Sequence, residues 1–233
     1  MTHTEHKRNS ALLLGAAAVS AAAYSYLPSM AGKAIHKIKR KKETEYLYLT
    51  FDDGPDSVYT EKLLDLLAEY QIKATFFVVG AFAKASPYII QRMQAEGHLI
   101  GLHSLSHKSA MIQSPWYTEN EFATNLSILK ELGVQTEYYR PPWGHVNLWT
   151  LRCLKKYRLK KVLWDVMAQD WQEEISEEEI QYRLLKRTGG GDIICLHDGR
   201  GKNEAPARML AALEKTLPIW LEEGYQFKRI DER

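Results

Sequence analysis

Residues 44–233 alternate between short apolar stretches and longer amphipathic ones. The short stretches predict seven β-strands, at residues 46–53, 74–79, 98–103, 137–140, 161–166, 192–197 and 225–230. The longer stretches predict six helices, at residues 57–70, 87–96, 118–132 and 205–222 and from residues 147 and 176 onward. Strands that alternate with helices predict parallel strands with helices outside, in a barrel or in an open doubly wound sheet.

The first 42 residues follow a different pattern. Lys7 and Arg8 precede residues 11–27, which carry no charge, and the Ser-Met-Ala triplet at residues 29–31 is a small-x-small cleavage site. This pattern is typical of a secretory signal, and its length also reaches the lower limit for a membrane-spanning helix. We expect a signal peptide or membrane anchor at residues 1–31, a basic linker at 32–45 and one domain at 46–233. A buried helix of the folded domain is the least favoured alternative, because no amphipathic pattern marks the stretch.

Charge is divided unevenly along the chain. Residues 1–42 carry eight Lys or Arg and one Glu, a net charge of +7, and the remainder carries 23 Lys or Arg and 28 Asp or Glu, a net charge of −5. The basic residues between Lys33 and Lys42 suit anionic lipid headgroups or an anionic wall polymer, or form a solvated linker with no partner. Nucleic acid is not an expected partner, because the body is acidic and no recognition motif follows.

The chain contains two cysteines, Cys153 and Cys195. Cys195 lies in an apolar strand, and we expect both thiols to be free and buried. Without a cluster of cysteines, a structural zinc finger is excluded. The apolar fraction of 45% and the charged fraction of 26% are those of an ordinary globular domain.

Reactive side chains recur where the predicted strands end. In chain order they are Asp52 and Asp53, His103, Arg140, Asp170 with Trp171, and His197. The carboxyl ends of parallel strands share one face in α/β folds, and active sites lie at that face. The pattern therefore predicts one site assembled from five strand ends, rather than five unrelated turns.

His103 and His107 are the candidate metal ligands. On a helical turn, residues at i and i+4 place both imidazoles on one face, about 5–6 Å apart at Cβ. A carboxylate from another strand end completes a three-ligand set that leaves a position open for water. Such a site generates hydroxide near neutral pH and polarises a carbonyl. Two unrelated surface histidines are the alternative.

Hydrolysis also needs a base for the water proton and an acid for the leaving group. A carboxylate beside the metal-bound one suits the base, and Arg140 keeps it ionised through a charge-assisted pair. His197 suits the acid if Asp170 raises its pKa, and a backbone N–H near Trp143 suits a developing oxyanion. The simpler alternatives are a salt bridge at the rim for Arg140 and a histidine bonded only to backbone for His197.

Five motifs together carry a family resemblance. They are TFDDGP at residues 50–55, HSLSH at 103–107, RPPWG at 140–144, DW at 170–171 and LHD at 196–198. In this order and at these intervals they resemble the motifs of the NodB-homology polysaccharide deacetylases, carbohydrate esterase family 4. The resemblance covers residues 46 to about 230. It implies an irregular (β/α)7 barrel with parallel strands and outer helices.

The resemblance also implies a role for each matching residue. Asp52 resembles the general base, Arg140 the residue that holds it, His197 the general acid and Asp170 the carboxylate that tunes the acid. The residues that resemble the metal ligands are Asp53, His103 and His107, and the implied metal is divalent, usually zinc and alternatively cobalt. The positions that resemble the substrate pocket are Trp143, Trp171 and Cys195, although the family usually has Tyr and Leu at the first and last of these.

The implied reaction removes the acetyl group from an N-acetylated amino sugar in a polymer such as peptidoglycan. An esterase on acetylated xylan uses the same residues, and a non-catalytic glycan-binding module is the alternative from another class. We expect the protein to act outside the cytoplasm, either secreted or anchored. The basic residues after the apolar stretch oppose that orientation, because the positive-inside rule places them in the cytoplasm.

Overall fold

The computed structural model describes residues 15–16, 19–39 and 45–233. Its strands are β1 (Tyr46–Asp52), β2 (Thr75–Val79), β3 (Leu99–Ser104), β4 (Tyr138–Tyr139), β5 (Lys160–Lys161), β6 (Val166–Met167), β7 (Ile193–His197) and β8 (Gln226–Phe227). Its α-helices are α1 (Leu27–Lys39), α2 (Tyr59–Glu69), α3 (Gly80–Ala85), α4 (Pro87–Ala95), α5 (Pro115–Glu131), α6 (Leu148–Lys156), α7 (Glu177–Arg187) and α8 (Ala205–Glu222). Strands and helices alternate as predicted, and the short helix α3 is an addition.

The strands form one parallel sheet with helices outside. Their order is β5-β4-β3-β2-β1-β7-β6, and β8 pairs with the start of β1. In the register of the sheet, Asp52 at the end of β1 lies beside Phe77 of β2 and His197 of β7. The carboxyl ends of the strands therefore meet at one edge, and the predicted α/β fold of an irregular parallel barrel is confirmed.

The predicted fifth strand is broken in two. Val162 N donates to Tyr139 O at 2.9 Å, so the first half follows β4, whereas Asp165 N donates to Ile193 O at 2.9 Å, so the second half joins β7. The prediction of one continuous strand at residues 161–166 is wrong, because the chain changes its partner between these two bonds. In the break, the Leu163 carbonyl accepts a hydrogen bond from Arg140 Nη2 at 3.3 Å instead of joining a ladder.

The main core lies between the sheet and the helices. Leu63, Leu64 and Leu67 of α2 are fully buried against Leu47 and Leu49 of β1 and their neighbours. Each buried Leu side chain contributes about 1.5–3 kcal/mol relative to an exposed one. Both cysteines are free and buried, as predicted.

Side-chain caps mark the beginning of two helices. The Asn147 side chain accepts from Thr150 N at 2.7 Å and begins α6, and the Ser176 hydroxyl accepts from Glu179 N at 3.2 Å and begins α7. These bonds satisfy backbone donors that have no partner within the helix. Predicted and observed starts of these helices therefore agree.

The N-terminal segment packs against the barrel. A π-helical turn, Ala22–Tyr26, leads into α1. Ser29 Oγ donates to Val146 O at 2.8 Å and accepts from Val146 N at 2.9 Å, and His36 Nε2 donates to Asp165 Oδ1 at 3.0 Å. Helix α1 therefore lies beside the break in the fifth strand.

The predicted boundary between residues 31 and 32 falls inside α1. The rest of the predicted signal or anchor, residues 1–14 and 17–18, lies outside the described residues, as do residues 40–44 of the basic linker. Within the described part of the chain, no helix has the length and apolar character needed to cross a bilayer. Cleavage or retention of residues 1–31 stays a prediction.

Gly101 occupies a position in β3 that has no room for a side chain. A Cβ there would lie 2.6 Å from Phe77 Cδ1 and 3.2 Å from Tyr138 O. Overpacking of this kind costs about 1–3 kcal/mol. We expect Gly101→Ala to lower the free energy of unfolding by that amount in a urea titration. Gly189→Ala is the matched control, because its nearest atom would lie 3.8 Å away, and equal losses in the two variants would contradict the prediction.

Candidate active site

Asp53 and two histidines meet at the edge of the sheet. Asp53 Oδ1 lies 3.2 Å from His103 Nε2 and 2.8 Å from His107 Nε2. The Nδ1–H of His103 donates to Arg140 O at 2.9 Å. In the neutral imidazole this leaves a lone pair on Nε2, which faces the carboxylate. The lone pairs of the imidazole nitrogen and of the carboxylate repel each other in this buried site. A cation between them removes that repulsion.

These three residues fit a divalent cation. Their ligand atoms all lie within 4.8 Å of one another, and Asp53 Oδ1 and His107 Nδ1 are buried without a hydrogen-bond partner among the described residues. Ligands at about 2.0–2.1 Å from a tetrahedral zinc lie about 3.3 Å apart, close to the observed separations. Without a cation, protons on Nε2 of the two imidazoles would take its place. Burial acts to raise the pKa of Asp53, but the hydrogen bonds from these imidazoles would hold that pKa below its ordinary value.

The two histidines meet by a different route from the predicted helical turn. His103 lies in β3, and His107 follows it in a tight turn with φ of 52°. The Ser104 hydroxyl accepts from His107 N at 2.6 Å and fixes this turn. The ring centroids are 5.1 Å apart. The prediction of a helical turn is wrong, because β3 continues to Ser104 and leaves too few residues for one.

Asp52 lies deeper than Asp53 and is held by Arg140. Arg140 Nη1 donates to Asp52 Oδ1 and to Thr50 Oγ1, each at 2.7 Å. The guanidinium is fully buried and packs 4.2 Å from the centroid of the Phe77 ring. Removal of one partner of a buried ion pair costs about 3–5 kcal/mol, because the other charge is left uncompensated. The structure therefore pairs Asp52 with a buried guanidinium and holds it in one orientation.

His197 is held by a charged partner, Asp170, as Asp52 is held by Arg140. Its Nδ1–H donates to Asp170 Oδ1 at 3.1 Å, and its backbone N–H donates to Asp170 Oδ2 at 2.8 Å. Burial acts to lower the pKa of His197, but Asp170, Asp53 and Asp52 outweigh it and raise the pKa to about 9. His197 is therefore protonated near neutral pH.

One cavity of about 360 Å³ is lined by Asp52, Asp53, His103, His107 and His197, and Arg140 and Asp170 are not among its lining residues. Trp143 and Trp171 form part of its wall and are 51% and 42% exposed. The Trp143 ring packs edge-on against His107, with centroids 4.5 Å apart, and its backbone has φ of 54°. The cavity thus combines a candidate metal centre, a carboxylate, a protonated histidine and two exposed aromatic rings.

Comparison with known proteins decides the family. The family model for polysaccharide deacetylases matches residues 39–162. The peptidoglycan-N-acetylglucosamine deacetylase of Bacillus cereus is 34% identical over 186 residues, which cover 79% of this chain and 85% of the relative. The peptidoglycan-N-acetylmuramic acid deacetylase PdaA of Bacillus subtilis is 31% identical over 220 residues, with 89% and 81% covered.

The chain belongs to the polysaccharide deacetylase family.

The fold agrees with that family. The solved structure of the Bc1960 peptidoglycan N-acetylglucosamine deacetylase matches with a TM-score of 0.77 at 30% identity, and the match covers 82% of this chain and 89% of the other. The predicted resemblance to the NodB-homology deacetylases is therefore confirmed.

Cys195 is not among the residues that line this cavity, and its role in a substrate pocket stays a prediction. It is fully buried behind Asp52, with its Sγ donating to Asp52 Oδ2 at 3.4 Å. The residues that line the cavity without having been anticipated are Trp164, Met167, Arg200, Gly201 and Lys202. Trp164 and Met167 come from the broken fifth strand, and the others come from the loop after β7. Only a weak pattern marks the three loop residues in the sequence, the alternation of glycines and basic residues directly after the LHD motif.

The pKa of His197 tests the assignment of Asp170. We expect Asp170→Asn to lower this pKa by about one to three units, because the neutral amide keeps the shape and loses the charge. NMR titration of the metal-free protein measures it, since a bound cation would add its own repulsion. An unchanged pKa in the variant would show that Asp170 does not control His197.

The same pair also makes stability depend on pH. The folded-state pKa of about 9 lies above the ordinary 6.5, so protonated His197 stabilises the fold fully below pH 6.5. That contribution is lost as the pH rises through about 9. Asp170→Asn should therefore narrow the difference in unfolding free energy between pH 6 and pH 10.

Proposed function

We propose that this protein is a metal-dependent hydrolase that removes acetyl groups from N-acetylated amino sugars in peptidoglycan. Family membership supports the reaction class, and the names of the two Bacillus relatives support the substrate class. The observation that carries the proposal is the arrangement around one cavity of Asp52, the Asp53–histidine cluster and His197. We place the action outside the cytoplasm, where this polymer lies.

Asp53, His103 and His107 would hold the metal. A divalent cation bound there supplies Lewis acidity to the acetyl carbonyl and lowers the pKa of water. Two imidazoles and one carboxylate, with a position left for water, favour zinc, and cobalt is the alternative. Arg140 O keeps His103 in the tautomer whose Nε2 is free to bind.

Proton transfer falls to the two groups on either side of that centre. Asp52, kept ionised by Arg140, takes the proton of the attacking water. His197, protonated because its pKa is raised to about 9, donates its Nε2 proton to the departing sugar amine. Asp170 holds Nδ1 and stabilises the imidazolium until that step. The second proton of the water leaves with the acetyl group as acetic acid, which ionises to acetate, and the sugar keeps the free amine. Asp52 then loses a proton to solvent and His197 takes one up, which restores both groups for the next turnover.

Two exposed indoles suit the sugar chain. Trp143 and Trp171 present apolar ring faces at the mouth of the cavity, where sugar rings on either side of the acetamide would lie. The open cavity leaves room for a polymer that continues beyond the reacting unit. The position of the rings therefore supports action within a chain rather than on a free monosaccharide.

Loss of one metal ligand tests the site directly. We expect His103→Ala to lose bound metal and to lower acetate release by more than about 100-fold, because substitutions merely adjacent to ligands already cost 10–100-fold. Metal analysis and an acetate assay on peptidoglycan measure both. His145→Ala is the matched control and should keep its metal. Full activity in the His103 variant would refute the assignment.

Substrate choice is tested by acetate release with and without a chelator. The substrates are peptidoglycan, chitin oligomers and acetylated xylan. We expect release from peptidoglycan, loss of release with chelator, and recovery when zinc or cobalt is added back. Release from xylan alone would establish the esterase alternative, and glycan binding without any release would establish a binding module.

A further inference from the structure

Large apolar side chains are exposed around the N-terminal helical segment. Six of them are close to where that segment meets the body: three on the segment, each about half exposed, and three on the body. Of the three on the body, Ile112 and Trp116 are the most exposed, at 85% and 75%. Farther along α1, Ile35 and Ile38 are also exposed. We call the six residues the apolar rim: Tyr26, Leu27, Met30, Ile112, Trp116 and Leu148.

Hydrogen bonds hold the segments of the apolar rim together. Asn147 Nδ2 donates to Ala110 O at 2.8 Å and to Thr118 Oγ1 at 3.1 Å. These bonds place the start of α6, the short 3₁₀-helix Ala110–Ile112 and the first turn of α5 side by side. The apolar side chains of the body therefore belong to one neighbourhood.

The N-terminal segment reaches the same neighbourhood. Ser29 bonds both backbone groups of Val146, next to Asn147, and the turn Ala22–Tyr26 packs against the 3₁₀-helix Ala110–Ile112. Contiguous exposed apolar surface is uncommon on a monomeric protein and marks a binding surface when it occurs. The residues of the apolar rim lie on neighbouring segments and are exposed, which makes the rim a candidate for such a surface.

Charge identifies the kind of partner. Lys33 and Lys37 lie on α1, and neither ammonium pairs with a carboxylate among the described residues. The first 42 residues carry a net charge of +7, whereas the rest of the chain carries −5. A second copy of this chain would bring its own basic arm to the same face, and like charges would repel. An anionic lipid surface offers both apolar depth and negative charge.

We propose that the apolar rim docks the protein on the surface of an anionic lipid bilayer, with Lys33 and Lys37 beside the headgroups. Trp116 and Tyr26 have the amphipathic rings that favour the depth of the membrane interface. Helix α1 is fixed to the barrel at Ser29, so docking holds the barrel itself at the bilayer. The proposal goes beyond the deacetylase reaction and does not depend on it.

Vesicle flotation of the full chain tests the proposal, with phosphatidylcholine vesicles that contain or lack phosphatidylglycerol. The wild type should bind the anionic vesicles more tightly. The double variant Ile112→Gln/Trp116→Gln should bind at least about tenfold more weakly, because it loses two apolar side chains that docking would bury in the bilayer. The double variant Lys33→Gln/Lys37→Gln should bind anionic vesicles more weakly, by about fivefold per lysine, and its binding to neutral vesicles should be unchanged.

A matched control separates the apolar rim from general hydrophobicity. Tyr182→Gln removes a large side chain from α7 that is 53% exposed, about as exposed as Tyr26 of the rim, and should leave vesicle binding unchanged. Unchanged melting temperatures would show that the variants are folded. Acetate release from a soluble chitin oligomer is recorded separately, so its absence would count against the deacetylase assignment alone.

Two results would overturn the proposal. If Ile112→Gln/Trp116→Gln binds anionic vesicles as tightly as the wild type, binding belongs to the N-terminal stretch alone, as for a simple anchor. The second result is a wild type that binds anionic and neutral vesicles equally and forms dimers that the Trp116 substitution dissociates. The partner of the apolar rim would then be a second copy of the chain.

Discussion

Arg140 couples the two halves of the candidate site. Its guanidinium donates to Asp52 and to Thr50, and its backbone carbonyl accepts the Nδ1–H of His103. One residue at the end of β4 therefore fixes both the carboxylate that takes a proton and the tautomer of a metal ligand. A guanidinium stays charged when buried, so the fold is stable only with an ionised carboxylate beside it.

The buried side chains of the candidate site carry an excess of negative charge. Asp52, Asp53 and Asp170 are all buried. Within residues 45–233, the cationic side chains that contact them, apart from the metal-facing imidazoles, are Arg140 and His197. Three carboxylates against two cations leave negative charge in a place shielded from water. Buried charge of this kind must be paired or coordinate a metal. The same excess that favours a cation at Asp53 also raises the pKa of His197 and keeps its proton available.

The sequence predicted the members of the site better than the path that joins them. Asp52, Asp53, His103, Arg140 and His197 were found because each ends an apolar strand, and parallel strands bring such ends together. The turn at His107 was not predicted, because it depends on the hydrogen bond from His107 N to the Ser104 hydroxyl and on a left-handed φ at His107. Helix α1 was not predicted either, because its contacts with Val146 and Asp165 join residues more than 100 positions apart.

The break in the fifth strand follows from the same buried guanidinium. Arg140 Nη2 needs an acceptor, and within a regular ladder each strand carbonyl is taken by a neighbouring N–H. Leu163 O serves because the chain leaves β4 before it and joins β7 after it. The break also places Trp164 in the wall of the cavity and Asp165 against His36 of α1. An irregularity that looks like a lost strand is thus what connects the barrel, the cavity and the N-terminal helix.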